Sequence, residues 1–315
     1  MNLQRENMNT PELSKLLEKE AISLGFARMG ICKSETVDEK TARYYNEWVD
    51  LGYHSGMEYL SKNRQKRLDP GLLWEHETKS VIVLAINYYS SLSEELLKKS
   101  RYKIARYAHG KNYHNVIKKK LKIFCNKFEQ ITGGSIRAYI DTAPIMEKYW
   151  AAKAGIGIQG KNTCMISPEF GSWIFLACCI TNVELESTGI FTKDLCGSCT
   201  LCLDACPTGA LVSQGKLDTR KCIAYLTIEH KEEFNEKTPE WKDWIWGCDI
   251  CQQVCPHNQN IDETKTKDFS IMPAIRNLMN GHFNPETFEE QFSVTSLKRG
   301  GKHRILRNIQ WIEKR

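Results

Sequence analysis

The stretch from Cys196 to Pro207, C-G-S-C-T-L-C-L-D-A-C-P, constrains this chain more than any other. Three cysteines at three-residue intervals bring three thiolates round one corner of a cubic iron–sulfur cluster. A fourth, followed by proline, is carried away to serve a second cluster. A second run is therefore required, and Cys248, Cys251 and Cys255, followed by Pro256, supply it. Aligned on the two Cys-Pro pairs, Ile245 stands where the first run has Cys196, so one ligand is missing. Cys222, between the runs, is the natural replacement. The crossover then assigns Cys196, Cys199, Cys202 and Cys255 to one 4Fe-4S cluster, and Cys206, Cys222, Cys248 and Cys251 to the other. Zinc knuckles or disulfides are the alternatives, but zinc sites rarely use three cysteines at this pitch followed by Cys-Pro.

Two clusters so close in sequence lie near enough to pass electrons singly, so the chain is expected to move electrons to something bound elsewhere. A carrier alone needs only a short chain, and this one has 315 residues. The division expected is a domain over residues 1–185 with its own core, a ferredoxin-like module over 186–260 and a C-terminal helical segment over 261–315. A net charge of +6 permits a polyanionic partner without demanding one. Thirteen cysteines would suggest disulfides in a small secreted protein, yet eight are spoken for as cluster ligands. The first ten residues have neither an apolar core nor a twin arginine, and the longest apolar runs, 81–86 and 173–180, are too short to span a bilayer. A reducing cytoplasm is the compartment expected. By default the other cysteines, Cys32, Cys125, Cys164, Cys178 and Cys179, are buried thiols.

Thr10-Pro11-Glu12 opens a helix that Gly25 closes. Residues 26–32 read as a strand, 39–51 as a helix, and the loop around Met57 as a turn whose glycines could admit a ligand. Residues 80–89 form a near-continuous apolar run, the pattern of a strand buried on both faces. Residues 101–114 mix basic and aromatic side chains, among them Arg106, Tyr107, Tyr113 and His114. That mixture suits either phosphate and base contacts or a solvated segment. A helix is expected over 115–130 and a strand over 135–140. The strand delivers Asp141 just before a second helix, over 145–154. In an open α/β sheet that is where ligands bind, and it is equally where a helix cap sits. Glycines 155, 157 and 160 around Lys161 fail the Walker spacing and open no convincing Rossmann helix, but could wall a large cofactor. Residues 162–175 read as a hairpin, and 298–307 as a basic patch able to meet an RNA backbone.

Taken together, the cluster run, the spacing to Cys222, and residues 139–150, 155–167 and 106–114 resemble the epoxyqueuosine reductases of queuosine tRNA modification, over roughly residues 10–310. The resemblance implies an α+β or α/β fold, with a cobalamin-binding N-terminal domain ahead of the two-cluster module. It implies two 4Fe-4S clusters and cobalamin as cofactors, and reduction of epoxyqueuosine to queuosine at the tRNA wobble position. By position, Asp141 becomes the proton donor to the departing epoxide oxygen. Met57, Arg106, Tyr107, Asp141, Asn162, Thr163, Cys164, Met165 and Ser167 become candidates for lining cobalamin. Arg220, Lys221, Lys298, Arg299 and Arg304 become candidate tRNA phosphate contacts, each weighed against a plain solvated charge. A small donor protein of ferredoxin or flavodoxin type is expected to supply electrons, to a monomer that meets no membrane. Two departures matter. The Asp-x-His-x-x-Gly signature that gives cobalt a histidine elsewhere is absent, and many members continue into a helical-repeat domain beyond the position of Arg315. The hold on tRNA is therefore expected to be either weaker or confined to the core. The rivals are a reductive dehalogenase, which usually carries a twin-arginine signal, and a two-cluster electron carrier without catalysis.

Overall fold

A computed structural model describes residues 10–314; the N-terminal stretch read above for a targeting signal lies, apart from Thr10, outside the described residues. The apolar run forms strand β2 (Ser80–Asn87), with all eight residues buried. Its neighbours are β1 (Arg28–Lys33) on one side and β7 (Ile174–Thr181) on the other, with β4 (Ile136–Tyr139) beyond β7. Every pairing in this four-stranded sheet is antiparallel. Of the two classes expected, it is α+β that forms, so the rule about carboxyl ends of parallel strands does not apply to Asp141.

The sheet is nonetheless covered on both faces, which explains the unbroken apolar run. Successive side chains of a strand point to opposite faces. Ile82, Leu84 and Ile86 pack with Leu17 and Ala21 of helix Thr10–Ser23 and with Ile117, Leu121, Phe124 and Phe128 of helix Tyr113–Thr132. Val81, Val83 and Ala85 face Trp150, Ala151 and Ala154, in and just after helix Glu147–Lys153. Each large apolar side chain buried this way contributes about 1.5–3 kcal/mol. Gly30 lets β1 approach that helix closely, since a Cβ there would strike the backbone of Ala154.

Two short hairpins lie on either side of the first cysteine run in sequence: β5 (Ile158–Gln159) with β6 (Met165–Ile166), and β8 (Leu211–Ser213) with β9 (Lys216–Leu217). The turn of the first falls at residues 160–164, so the hairpin expected around residues 168–171 is only a following turn, closed by Ser167 N–H to the Gly171 carbonyl at 2.8 Å. A second core crosses the expected domain boundary. Leu97, Tyr102, Ile104, Ala105 and Ala108 pack with Ile223, Leu226, Ile275, Leu278, Phe288, Phe292 and Ile305. Within it β3 (Lys103–Ile104) pairs in parallel with β10 (Trp244–Trp246). Among the described residues no helix is long and apolar enough to cross a membrane.

Candidate active site and cluster cradles

The chain folds its cysteines into two separate groups. Cys196, Cys199, Cys202 and Cys255 line one concavity with Ile166 and His257. Lys161 holds the loop of the first run, its ammonium donating to the carbonyls of Gly197 at 2.7 Å and Cys199 at 2.9 Å. The glycine-flanked lysine that failed as a phosphate loop thus places a cation beside these thiols.

Cys206, Cys222, Cys248 and Cys251 line a second cavity of 260 Å³ with Cys164, Tyr107, Asn162 and Thr163. Cys222 begins helix Ile223–Ile228 and caps it with no side-chain hydrogen bond. Among the described residues no three His, Cys, Asp or Glu side chains converge on the point a single ion would occupy. Thiols set around a volume suit a cluster.

Several residues expected at a cofactor face are committed elsewhere. Arg106 is 5% exposed, and its guanidinium pairs with the Asp249 carboxylate at 3.2 Å while its backbone N–H donates to the same oxygen at 2.8 Å. Met165 and Ser167 are buried in and beside β6. The glycines expected to wall a cofactor instead admit their own hairpin partner: a Cβ on Gly157 would run into the Ile166 carbonyl, and one on Gly160 into the Ile166 side chain. Met57 is half-buried against the second core. Asn162 ties the hairpin to the second thiol set, donating to the Cys251 carbonyl at 3.3 Å and accepting from the Cys164 amide at 3.1 Å. The Cys164 thiol is hydrogen-bonded to Cys251.

Asp141 follows β4 in a left-handed backbone conformation, φ 55°, that few non-glycine residues adopt. It does not cap the next helix: the cap is Met146, with no side-chain bond. Instead Glu147 reaches back, its carboxyl oxygen accepting the Asp141 N–H at 2.7 Å and holding the strained turn. The Asp141 carboxylate accepts from the Tyr113 hydroxyl at 2.7 Å, and the His114 ring lies at 3.3 Å from the same oxygen. Tyr113 is set by stacking on Phe175, with ring centres 4.4 Å apart.

Burial pulls the Asp141 acidity toward the neutral form. The hydrogen bonds from His114 and Tyr113 and the charges of His114 and Arg299 outweigh it, holding the carboxyl below the usual carboxylate range. Glu147 goes the other way: burial pushes it up to about 8, with the Asp141 charge adding and the Asp141 amide opposing. The two neighbouring carboxyls are thus pushed in opposite directions, Asp141 toward its ionised form and Glu147 toward its protonated one.

Tyr107 joins the two regions. It lines the second thiol cavity, and its ring meets Tyr113 edge-on with centres 6.1 Å apart. The face around Asp141 is open, with the Asp141 side chain 53% exposed and Arg299 and Tyr59 exposed beside it. Sequence reasoning missed Glu147 and the inward turn of Tyr113 and His114. A carboxyl six residues beyond an aspartate is a faint signal, and no local pattern announces a contact made across the sheet.

The candidate tRNA contacts divide. Lys221 and Lys298 are exposed. Arg220 is clamped by Asp218, with two bonds of 2.8 Å, and Arg299 pairs with Glu229 at 2.8 Å, though both remain exposed. Arg304 is partly buried and donates to the Ile228 carbonyl.

Residues 195–258 match the family described as a 4Fe-4S double cluster binding domain, and residues 67–142 match the family described as epoxyqueuosine reductase QueG, DUF1730. An epoxyqueuosine reductase of Cyclobacterium marinum is 39% identical over 305 residues, covering 95% of this chain and 96% of that one. One of Leadbetterella byssophila is 38% identical over 305 residues, covering 96% and 99%. Among solved structures, an epoxyqueuosine reductase with an epoxyqueuosine-modified tRNA-Tyr stem loop superposes with a TM-score of 0.85 at 30% identity, over 96% of this chain and 81% of that one. The Bacillus subtilis enzyme, captured with an aspartate-bearing catalytic loop swung out of the active site, gives 0.84 at 30% identity, over 96% and 82%. With a cradle for two 4Fe-4S clusters and relatives of this identity over nearly its whole length, the chain belongs to the epoxyqueuosine reductase family.

Proposed function

We propose that the chain reduces epoxyqueuosine to queuosine in tRNA. The observation that carries this reading is the continuity from the second thiol cavity through Tyr107 and Tyr113 to the open Asp141 carboxylate. The reaction consumes two electrons and two protons, converts the epoxide to an alkene and releases its oxygen as water. Cys196, Cys199, Cys202 and Cys255 would hold the first cluster, which would supply a one-electron carrier toward a small donor protein. The exposed Leu201 marks that face. Cys206, Cys222, Cys248 and Cys251 would hold the second cluster, a further one-electron carrier beside Tyr107.

Tyr59, Tyr107 and Arg299 gather around Asp141, and Tyr107 with Thr163 also borders the second thiol cavity; these are the residues that would hold cobalamin. When bound, cobalamin supplies a cobalt centre that takes up electrons singly and reduces carbon. Tyr107 and Thr163 would then meet the cofactor. Arg106, Met165 and Ser167 would act from behind, by fixing the elements that carry it. Asp141 gives a proton to the departing oxygen, and covering it with substrate removes water and favours its protonated form. Lys221, Lys298 and Arg299 hold the anticodon backbone, with Arg220 and Arg304 shaping that surface. The three-part division is kept as one of function: residues 1–185 for cofactor and substrate, 186–260 for the clusters and 261–315 for the second core. The protein acts as a monomer in the cytoplasm.

The test is anaerobic single turnover on an epoxyqueuosine-bearing stem loop, with iron and cobalt counted in the same sample. About eight irons, one cobalt and formation of queuosine are expected. Asp141→Asn should keep the iron and slow turnover by about 10²–10⁴-fold. Turnover without cobalt, or clusters without turnover, would refute the reading.

A further inference from the structure

We propose that His114 is the proton reserve of Asp141: in the resting protein one proton sits on His114 Nε2, shared with the Asp141 carboxylate, and passes to it when substrate binds. This deepens the proposed function and rests on it for the catalytic half of its test.

The argument begins with Asn112. As N-cap of helix Tyr113–Thr132, its side-chain oxygen accepts the His114 amide at 3.0 Å, which fixes the amide group with oxygen toward the helix. The same oxygen lies 3.2 Å from His114 Nδ1. An amide oxygen has no hydrogen to give, so Nδ1 must carry one. Nε2 then faces Asp141 Oδ2 at 3.3 Å. Were Nε2 bare and the carboxylate ionised, two lone pairs would confront each other. A proton between them removes that conflict and leaves every ring hydrogen with an acceptor.

The remaining neighbours reinforce this placement. Tyr113 donates its hydroxyl to the same oxygen at 2.7 Å, and its ring lies against the imidazole with centres 4.1 Å apart. Arg299 adds a positive charge that keeps Asp141 ionised, and Glu147 binds its amide from the other side. Tyr59 and Tyr107 are the other titratable groups near the carboxylate. His114 is 19% exposed, so its edge can be reprotonated from water. In the cycle, Oδ2 delivers the Nε2 proton to the epoxide oxygen as the carbon–oxygen bond breaks. Electrons come from the clusters, and water restores the proton through His114 for the second transfer. His114 touches the reacting atoms only through Asp141 and is therefore a positioning residue.

Two measurements test this on the cluster-loaded protein. The first is the pH profile of single turnover for the wild type and His114→Gln, whose side chain keeps a donor but cannot hold the extra proton. Turnover of the variant should fall at least tenfold at pH 8 and recover toward wild type at pH 6, with iron content unchanged. Uniform slowing at all pH values, or no change, would overturn the proposal. The second uses ¹⁵N-histidine-labelled protein at neutral pH, the His114 signals being those lost in His114→Gln. Both ring nitrogens should be protonated, and Asp141→Asn should leave only Nδ1 protonated; a bare Nε2 in the wild type would overturn the proposal. Because the spectrum needs no substrate, failure of epoxide reduction would refute the function and leave the proton's position decided separately.

Discussion

At the scale of single residues, the site sets two carboxyls against each other. Glu147 is raised to about 8 by burial, so its contribution to stability is full below its unfolded value near 4.5 and is lost as the pH climbs through 8. Glu147→Gln removes that loss. It should raise the melting temperature relative to wild type by a few degrees at pH 8 and have little effect or a slight cost at pH 5, read by thermal unfolding at both values. Arg106 presents the opposite situation, a buried charge whose partner cannot follow it out. Arg106→Ala leaves Asp249, 3% exposed, without its cation and should cost about 3–5 kcal/mol in denaturant unfolding. Neither role is written locally. Asp141 could be singled out from its place between a strand and a helix, but Arg106 looked like a surface cation because its partner lies 143 positions away.

At the scale of elements, the cysteine spacing carried nearly all the information. The two runs and Cys222 could be sorted into two sets because, in the ferredoxin pattern, the cysteine before proline in each run serves the other cluster. The structure gathers those same sets around separate cavities. Cys222→Ser should leave the first cluster in place and lower iron from about eight to about four per chain, by metal analysis with EPR of the reduced protein. The β2 strand was equally legible, since an apolar run of that length has to be covered on both faces. Its partners were not: strand direction depends on connections that a pattern of period two does not encode, and the sheet proved antiparallel throughout. The glycines of residues 155–160 misled for a related reason. Glycine permits close approach without saying to what, and here it is to β6 for Gly157 and Gly160 and to the Gly189 backbone for Gly155.

At the scale of the whole molecule, the boundary that composition suggests near residue 185 is not a boundary of packing. Residues 97–108 belong to the core completed by residues 223–309. A fragment of residues 1–185 should therefore expose Tyr102, Ile104 and Ala108 and be recovered largely aggregated, whereas the full chain should elute as a discrete folded species; size-exclusion chromatography of the two distinguishes the outcomes. The parallel pairing of β3 with β10 also imposes an order in time. During synthesis, at about 5–20 residues per second, β3 waits on the order of ten seconds or more for its partner strand to be made. The thiols of both cluster sets are made within the same stretch of chain, so metal loading and closure of the second core compete for one interval. In a cell short of iron or sulfide the second core would then close first, over cysteines that have not yet met their metal.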